Sequence, residues 1–191
     1  MFSHFTDADH KYFMSQAYDM RKFSHDRRTQ TGAVVVNRDK FTIGSGTNKL
    51  PMDITNKNIK PFRDAEHLKF FNSKYGTNIT PEQIKKPEDF IVNVLNTDFK
   101  YSAFQHAERG AIAMAAKNGH ATNDCAMYAT FYPCIPCANL IIEAGIKLLV
   151  VDNEPDYTNE RWKKQWGIDW KTVETLLKAN NIKTLFMRTS R

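Results

Sequence analysis

Two short clusters in this chain hold residue types that bind metals and move protons. The first is His106-Ala107-Glu108; the second is Pro133-Cys134-Ile135-Pro136-Cys137. Cysteines three apart share one face of a helix and can chelate one ion. At a helix N-terminus the macrodipole favours thiolate over thiol. Pro133 and Pro136 suit such a first turn, whose N–H groups have no intrahelical acceptor. His106 and Glu108 are two apart, on nearly opposite sides of an ideal helix. They can serve one pocket only where a helix begins, and the pattern puts them there. His106, Cys134 and Cys137 are therefore candidate ligands for Zn²⁺. A Cys₂His set fills three of four tetrahedral positions, as catalytic zinc sites do. Glu108 need not ligate and is the candidate general acid/base. Cys125 opens an expected strand and is read as a core thiol rather than a fourth ligand.

The elements that must position these residues follow from periodicity. Residues 7–23 read as a helix, with Phe13, Ala17 and Met20 at helical spacing. Gly32 to Asn37 is an apolar run read as a buried strand, and Phe41 to Gly46 returns as the other half of a hairpin. Residues 107–118 form an Ala-rich helix closed by Gly119. A strand at 126–131, a helix at 135–144, a strand at 146–152, a helix at 170–179 and a strand at 182–187 complete the pattern. Alternating strands and helices imply crossovers, hence an α/β fold with a mixed, largely parallel sheet covered on both faces. From residue 49 to 102 the pattern breaks, with Pro51, Pro61, Pro81 and Pro87 between short apolar patches. Short helices are expected at 65–71 and 88–95. The stretch is read as a partly helical insertion within a single domain spanning 1–191, because its apolar residues are too few for a separate core.

Composition narrows the class. A chain of 191 residues, 41% hydrophobic and 25% charged, is globular. No apolar run approaches the ~20 residues of a membrane span, and the first residues lack a signal-peptide pattern. Three cysteines, two in one motif, suit a reducing compartment, so a cytoplasmic location is expected. The formal charge of +6 favours anionic partners. The basic residues are scattered, in doublets such as Arg27-Arg28, Lys85-Lys86 and Lys163-Lys164 rather than in a long run. That suits one small anion better than a nucleic-acid backbone. Trp162, Trp166 and Trp170 recur every four residues and are read as packing.

The joint pattern H-x-E … P-C-x-x-C is the signature of zinc nucleoside and nucleobase deaminases. Within that group the chain resembles the deoxycytidylate (dCMP) deaminases of the cytidine deaminase-like superfamily, which include phage enzymes. The segment T-G-A-V-V-V-N, 31–37, is similar to the family's first strand. G-T-N-K-L-P, 46–51, is similar to its G-Y-N-G-x-P. H-A-E-R-G-A-I, 106–112, resembles its H-A-E-x-N-A-I. Y-P-C-I-P-C-A, 132–138, resembles its P-C-x-x-C-A, and I-I-E-A-G-I-K, 141–147, its helix-to-strand run. Two departures bear on substrate choice: Gly110 stands where the family has Asn, and Lys49 where it has Gly.

The resemblance implies a three-layer α/β/α fold around a five-stranded mixed sheet. It implies hydrolysis of dCMP to dUMP and ammonia, a homo-oligomer, and dCTP and dTTP as effectors. Asn48 resembles the loop Asn that contacts the sugar; its alternative is an Asn holding a turn. The backbone of Ala107 is a candidate contact to the base edge. Arg28, Lys117 and Tyr157 are candidates for the phosphate. Some phage relatives carry a second zinc in the insertion; with His67 but no cysteine there, none is expected here. Other readings stay open: a modified pyrimidine or purine nucleotide, a base within a polynucleotide such as tRNA adenosine, or a non-catalytic zinc module that binds nucleotide.

Overall fold

The computed structural model describes residues 2–26, 29–50, 64–85, 89, 103–152, 154–156 and 158–187, without the side chains of 161, 162, 165, 166 and 168. Its contacts divide the chain into two compact units, residues 1–48 with 106–191, and residues 49–105.

The larger unit begins with α1, Asp7–Met20. Thr6 caps it reciprocally: its hydroxyl accepts from the Asp9 amide and the Asp9 carboxylate accepts from the Thr6 amide. The helix ends at Met20 and tightens into a 3₁₀ turn, Arg21–Phe23, so the expected helix to Phe23 loses its last turn to that geometry. Strands β1, Gly32–Val36, and β2, Thr42–Thr47, pair antiparallel as the expected hairpin. After α3, Ala107–Lys117, come β3, Ala126–Ala129, and α4, Ile135–Glu143. Then come β4, Leu148–Val151, α5, Glu160–Ala179, and β5, Lys183–Phe186. Helix α5 starts ten residues before the expected Trp170; its first half has the four-residue tryptophan spacing but is otherwise charged and is interrupted by Gly167.

The five strands lie in the order β2-β1-β3-β4-β5. β1 is antiparallel to β3, while β3, β4 and β5 run parallel. Alternate residues serve opposite faces. Val34, Val36, Ala126, Tyr128, Leu148 and Val150 meet Phe5, Phe13, Met14 and Ala17 of the N-terminal segment. Ala33, Val35, Met127, Ala129, Leu149 and Val151 meet Ala107, Ala111, Ile141, Trp170, Val173 and Leu177. The fold is thus three-layered, with α1 on one face and α3, α4 and α5 on the other. Among the described residues no helix is long and apolar enough to cross a membrane.

β2 reads T-I-G-S-G-T, and its glycines let α3 approach the sheet edge closely. A Cβ on Gly46 would fall 2.2 Å from the Ala107 carbonyl oxygen. The first turn of α3 is therefore set directly against this strand.

The unit 49–105 contains α2, Ala65–Tyr75, capped by the Asp64 carboxylate and ended by Gly76 in the left-handed region. This matches the helix expected at 65–71; the one expected at 88–95 falls almost wholly outside the described residues. Leu50, Leu68, Phe71, Ile79, Ile84 and Phe104 are buried together. The stretch therefore does assemble a small apolar cluster of its own, because aromatic and aliphatic residues far apart in sequence converge on α2. Its ends meet: Lys49 and Gln105 exchange backbone hydrogen bonds, 3.1 and 2.8 Å.

Candidate metal centre and active site

The two motifs occupy two helix starts. His106 is the N-cap of α3 and keeps extended backbone, φ −75° and ψ 157°. Cys134 is the N-cap of α4, φ −78° and ψ 168°, with Pro136 in its first turn. Neither side chain caps its own helix. Their heads meet instead: His106 Nδ1 lies 3.3 Å from Cys134 Sγ and 3.5 Å from Cys137 Sγ. The ligand atoms of all three residues lie within 4.8 Å of one another.

This set fits zinc. With Zn–N near 2.05 Å, Zn–S near 2.3 Å and tetrahedral angles, nitrogen and sulfur should stand about 3.6 Å apart. The two observed separations need almost no adjustment. Both helix N-termini converge on the cluster, which favours anionic sulfur. Cys134 is held well below the ordinary thiol range, chiefly by its hydrogen bond with Cys137 and further by His106. The same bond, with burial, pushes Cys137 up. The hydrogen bond to Cys134 raises His106, with the Glu108 charge adding and burial opposing.

Glu108 is only 6% exposed. Burial raises its carboxyl above the ordinary carboxylate range, opposed by His106, a backbone hydrogen bond and the Cys137 thiol. A carboxyl so placed holds a proton more readily than one in water and can release it again.

The structure places the other candidates unevenly. The Lys49–Gln105 bridge brings their chain neighbours Asn48 and His106 abreast. Asn48 is 7% exposed. Its Oδ1 accepts from the Thr31 amide at 2.8 Å and the Ser24 hydroxyl at 2.7 Å, and its Nδ2 donates to the Thr29 carbonyl at 2.6 Å. Ala107 is buried in the first turn of α3, among the amides a helix leaves without an intrahelical acceptor. Lys117 closes α3 at its far end, exposed, about 16 Å along the axis from His106 at the usual helical rise. Arg28 and Tyr157 lie outside the described residues. Cys125 is buried at the edge of the core, its thiol 3.7–3.8 Å from the Ala121 and Asn123 carbonyls rather than among the ligands. Trp170 packs in the core beside Val173 and Leu177, whereas the side chains of Trp162 and Trp166 are not described. His67 is engaged with Asp64, 3.1 Å away. Sequence reasoning missed Gly46, although two glycines on one face of a strand do signal close backbone approach. It also missed Ser24, which nothing in the sequence distinguishes from an ordinary turn serine.

An α/β/α sheet with a His-Cys-Cys cluster at two helix N-termini and a buried carboxyl beside it defines a zinc-binding deaminase. Residues 7–153 match the family described as "Cytidine and deoxycytidylate deaminase zinc-binding region", and the chain belongs to it. Deoxycytidylate deaminase of Mus musculus is 29% identical over 150 residues, covering 78% of this chain and 67% of that protein. The Homo sapiens enzyme is 31% identical over 140 residues, covering 73% and 62%. The chain thus spans about two thirds of these relatives' length. The dCMP deaminase of cyanophage S-TIM5, solved in complex with dCMP and dUMP, superposes with a TM-score of 0.58 over 95% of this chain and 98% of that one. At 16% identity that likeness establishes the fold.

Proposed function

We propose that this chain hydrolyses a deoxynucleoside monophosphate, dCMP to dUMP and ammonia. The observation that carries the reading is the buried Glu108 carboxyl set two residues from His106 in a metal-fitted His-Cys-Cys cluster. The names of the mouse and human relatives support the same substrate.

His106, Cys134 and Cys137 would hold zinc, which when bound acts as a Lewis acid and readies water for attack. Glu108 takes a proton from the attacking water and delivers it to N3 of the cytosine. Oxygen becomes bonded to C4; its remaining proton passes through Glu108 to N4, the C4–N4 bond breaks, the C4 carbonyl forms and the amino group leaves as ammonia. Burial keeps the Glu108 proton out of exchange with bulk water between these transfers. The Ala107 amide, at the positive end of α3, is placed to meet the edge of the base. Asn48 meets the sugar. For the phosphate, Arg28 and Lys117 remain the candidate cations, Lys117 being the last residue of α3. Tyr157 is retained as a phosphate contact on the resemblance alone. So are a homo-oligomer and regulation by dCTP and dTTP; a cytoplasmic location is kept on the cysteine usage.

The test is ammonia release from a panel of dCMP, deoxycytidine, dAMP and tRNA. dCMP should react, and deoxycytidine far more slowly, because a phosphate is held by strong charge-assisted hydrogen bonds. Glu108→Ala should keep zinc and fold yet lose roughly 10²–10⁴-fold in turnover. Activity on tRNA with none on any monophosphate would overturn the substrate; near wild-type turnover by Glu108→Ala would overturn the proton route.

A further inference from the structure

We propose that Ser24 is a positioning residue for the nucleotide: with Thr29 and Thr31 it locks Asn48 so that one amide hydrogen alone faces the substrate, as a donor to a sugar hydroxyl oxygen. The inference rests on the deaminase reading and sharpens it.

The orientation of the Asn48 amide is settled by backbone groups that have no choice of role. The Thr31 N–H, 2.8 Å away, can only donate, so the atom it meets is the oxygen. The Thr29 carbonyl, 2.6 Å from the other amide atom, can only accept, so that atom is the nitrogen. Ser24 Oγ, 2.7 Å from Oδ1, must then donate to it. An amide oxygen has two lone pairs and an amide nitrogen two hydrogens. Both lone pairs are occupied and one hydrogen is used. What Asn48 can still offer a ligand is one N–H.

Ser24 is itself fixed. Its oxygen accepts from the Asp26 amide at 3.0 Å, and its hydroxyl also lies 3.1 Å from the Asn48 carbonyl. The His25 amide donates to that same carbonyl at 3.2 Å. Ser24, His25, Thr29 and Thr31 thereby gather around one residue, and that residue stands abreast of His106. A donor presented there selects for an acceptor, and a sugar hydroxyl oxygen is the acceptor a deoxynucleotide carries between base and phosphate. Without the Ser24 hydroxyl, Oδ1 regains a free lone pair, and the side chain ceases to be a donor only.

The experiment measures kcat and KM of the zinc-loaded full chain on dCMP and on 2′,3′-dideoxycytidine 5′-monophosphate, which lacks the hydroxyl. Wild type should favour dCMP by roughly 5–100-fold in KM, the cost of leaving a buried donor unpaired. Ser24→Ala should raise KM for dCMP by roughly 2–10-fold with kcat unchanged, and should leave KM for the dideoxynucleotide where it was. Ser24→Thr, which keeps the donor, should behave as wild type. Should Ser24→Ala not fold, Ser24→Cys fills the space with a weak donor and takes its place. An equal rise of KM for both substrates, or no rise for dCMP, overturns the role of Ser24 while deamination stands. Equal KM values in wild type overturn the sugar contact as well. Failure of wild type to release ammonia from either substrate overturns the deaminase reading itself.

Discussion

Gly46→Ala should cripple catalysis from a strand that carries no chemical group. The added Cβ would lie 2.2 Å from the Ala107 oxygen, 2.4 Å from the Ala111 nitrogen and 2.7 Å from the Gly110 carbonyl carbon. All three are backbone atoms, so no side chain can swing away. To reach the 3.4 Å at which such contacts become ordinary, α3 must retreat from β2 by about 1.2 Å. His106 and Glu108 ride on the turn that moves. Overpacking of this kind costs about 1–3 kcal/mol, or roughly 2–12 °C in Tm for a chain of this size. A shift near 1 Å in a catalytic array costs roughly 100-fold in rate. Circular dichroism melts and ammonia release on dCMP separate the two effects: a folded protein at 25 °C with kcat/KM down about 100-fold. Gly44→Ala meets the Ala111 oxygen at the same 2.2 Å, with its next contacts at 2.9 and 3.0 Å, one turn further along α3; it should also lower Tm but lose less activity. A Gly46→Ala protein with wild-type kcat/KM would refute the reasoning.

Three further outcomes are expected. Purified protein should carry about one zinc per chain, chelation should lower its Tm, and Cys134→Ala should lose the metal; metal analysis showing stoichiometric zinc in that variant would exclude Cys134 as a ligand. His10, which shares a 2.8 Å hydrogen bond with the buried Tyr128 hydroxyl, is held below the ordinary imidazole value by burial, against the pull of Asp7 and Asp9. Its folded value being the lower, it stabilises the fold above about pH 6.5 and ceases to do so as pH falls through that lowered value. The Tm difference between wild type and His10→Gln should therefore shrink as the solution is acidified, and a difference constant from pH 8 to 5 would contradict this. Gly167→Ala, whose Cβ would meet, among the described residues, the flexible Lys163 side chain, should gain about 1 kcal/mol of helix propensity and 2–4 °C in Tm; a lower Tm would show that the glycine is needed there.

Much of this arrangement was legible in the residue order, for identifiable reasons. Short apolar runs bounded by turns marked β1, β3 and β4, because buried strands need continuous apolar residues. The metal set was legible because a helix start is the one place where His106 and Glu108 can face one pocket, and because Cys134 and Cys137 occupy an N-cap and the third position after it. Other features left weaker traces. The early start of α5 left one trace, the four-residue spacing of Trp162, Trp166 and Trp170, which Gly167 and the charges around it obscured. The small cluster around α2 joins Leu50 to Phe104, a separation no local pattern spans. Ser24 was illegible: a hydroxyl's value lies in which amide it meets, and that depends on how the chain folds back.

The paired exchange between Lys49 and Gln105 has an evolutionary consequence. A segment whose two ends are already stapled together can lengthen, shorten or be exchanged at small entropic cost, since closing a longer loop adds only slowly to the penalty. The segment here is therefore the part of the chain most open to invention. Yet its doorposts are Asn48 and His106, a proposed sugar contact and a metal ligand. New sequence admitted between them leaves every strand of the sheet untouched, so this doorway is a place where lineages can add or remove chain without rebuilding the fold.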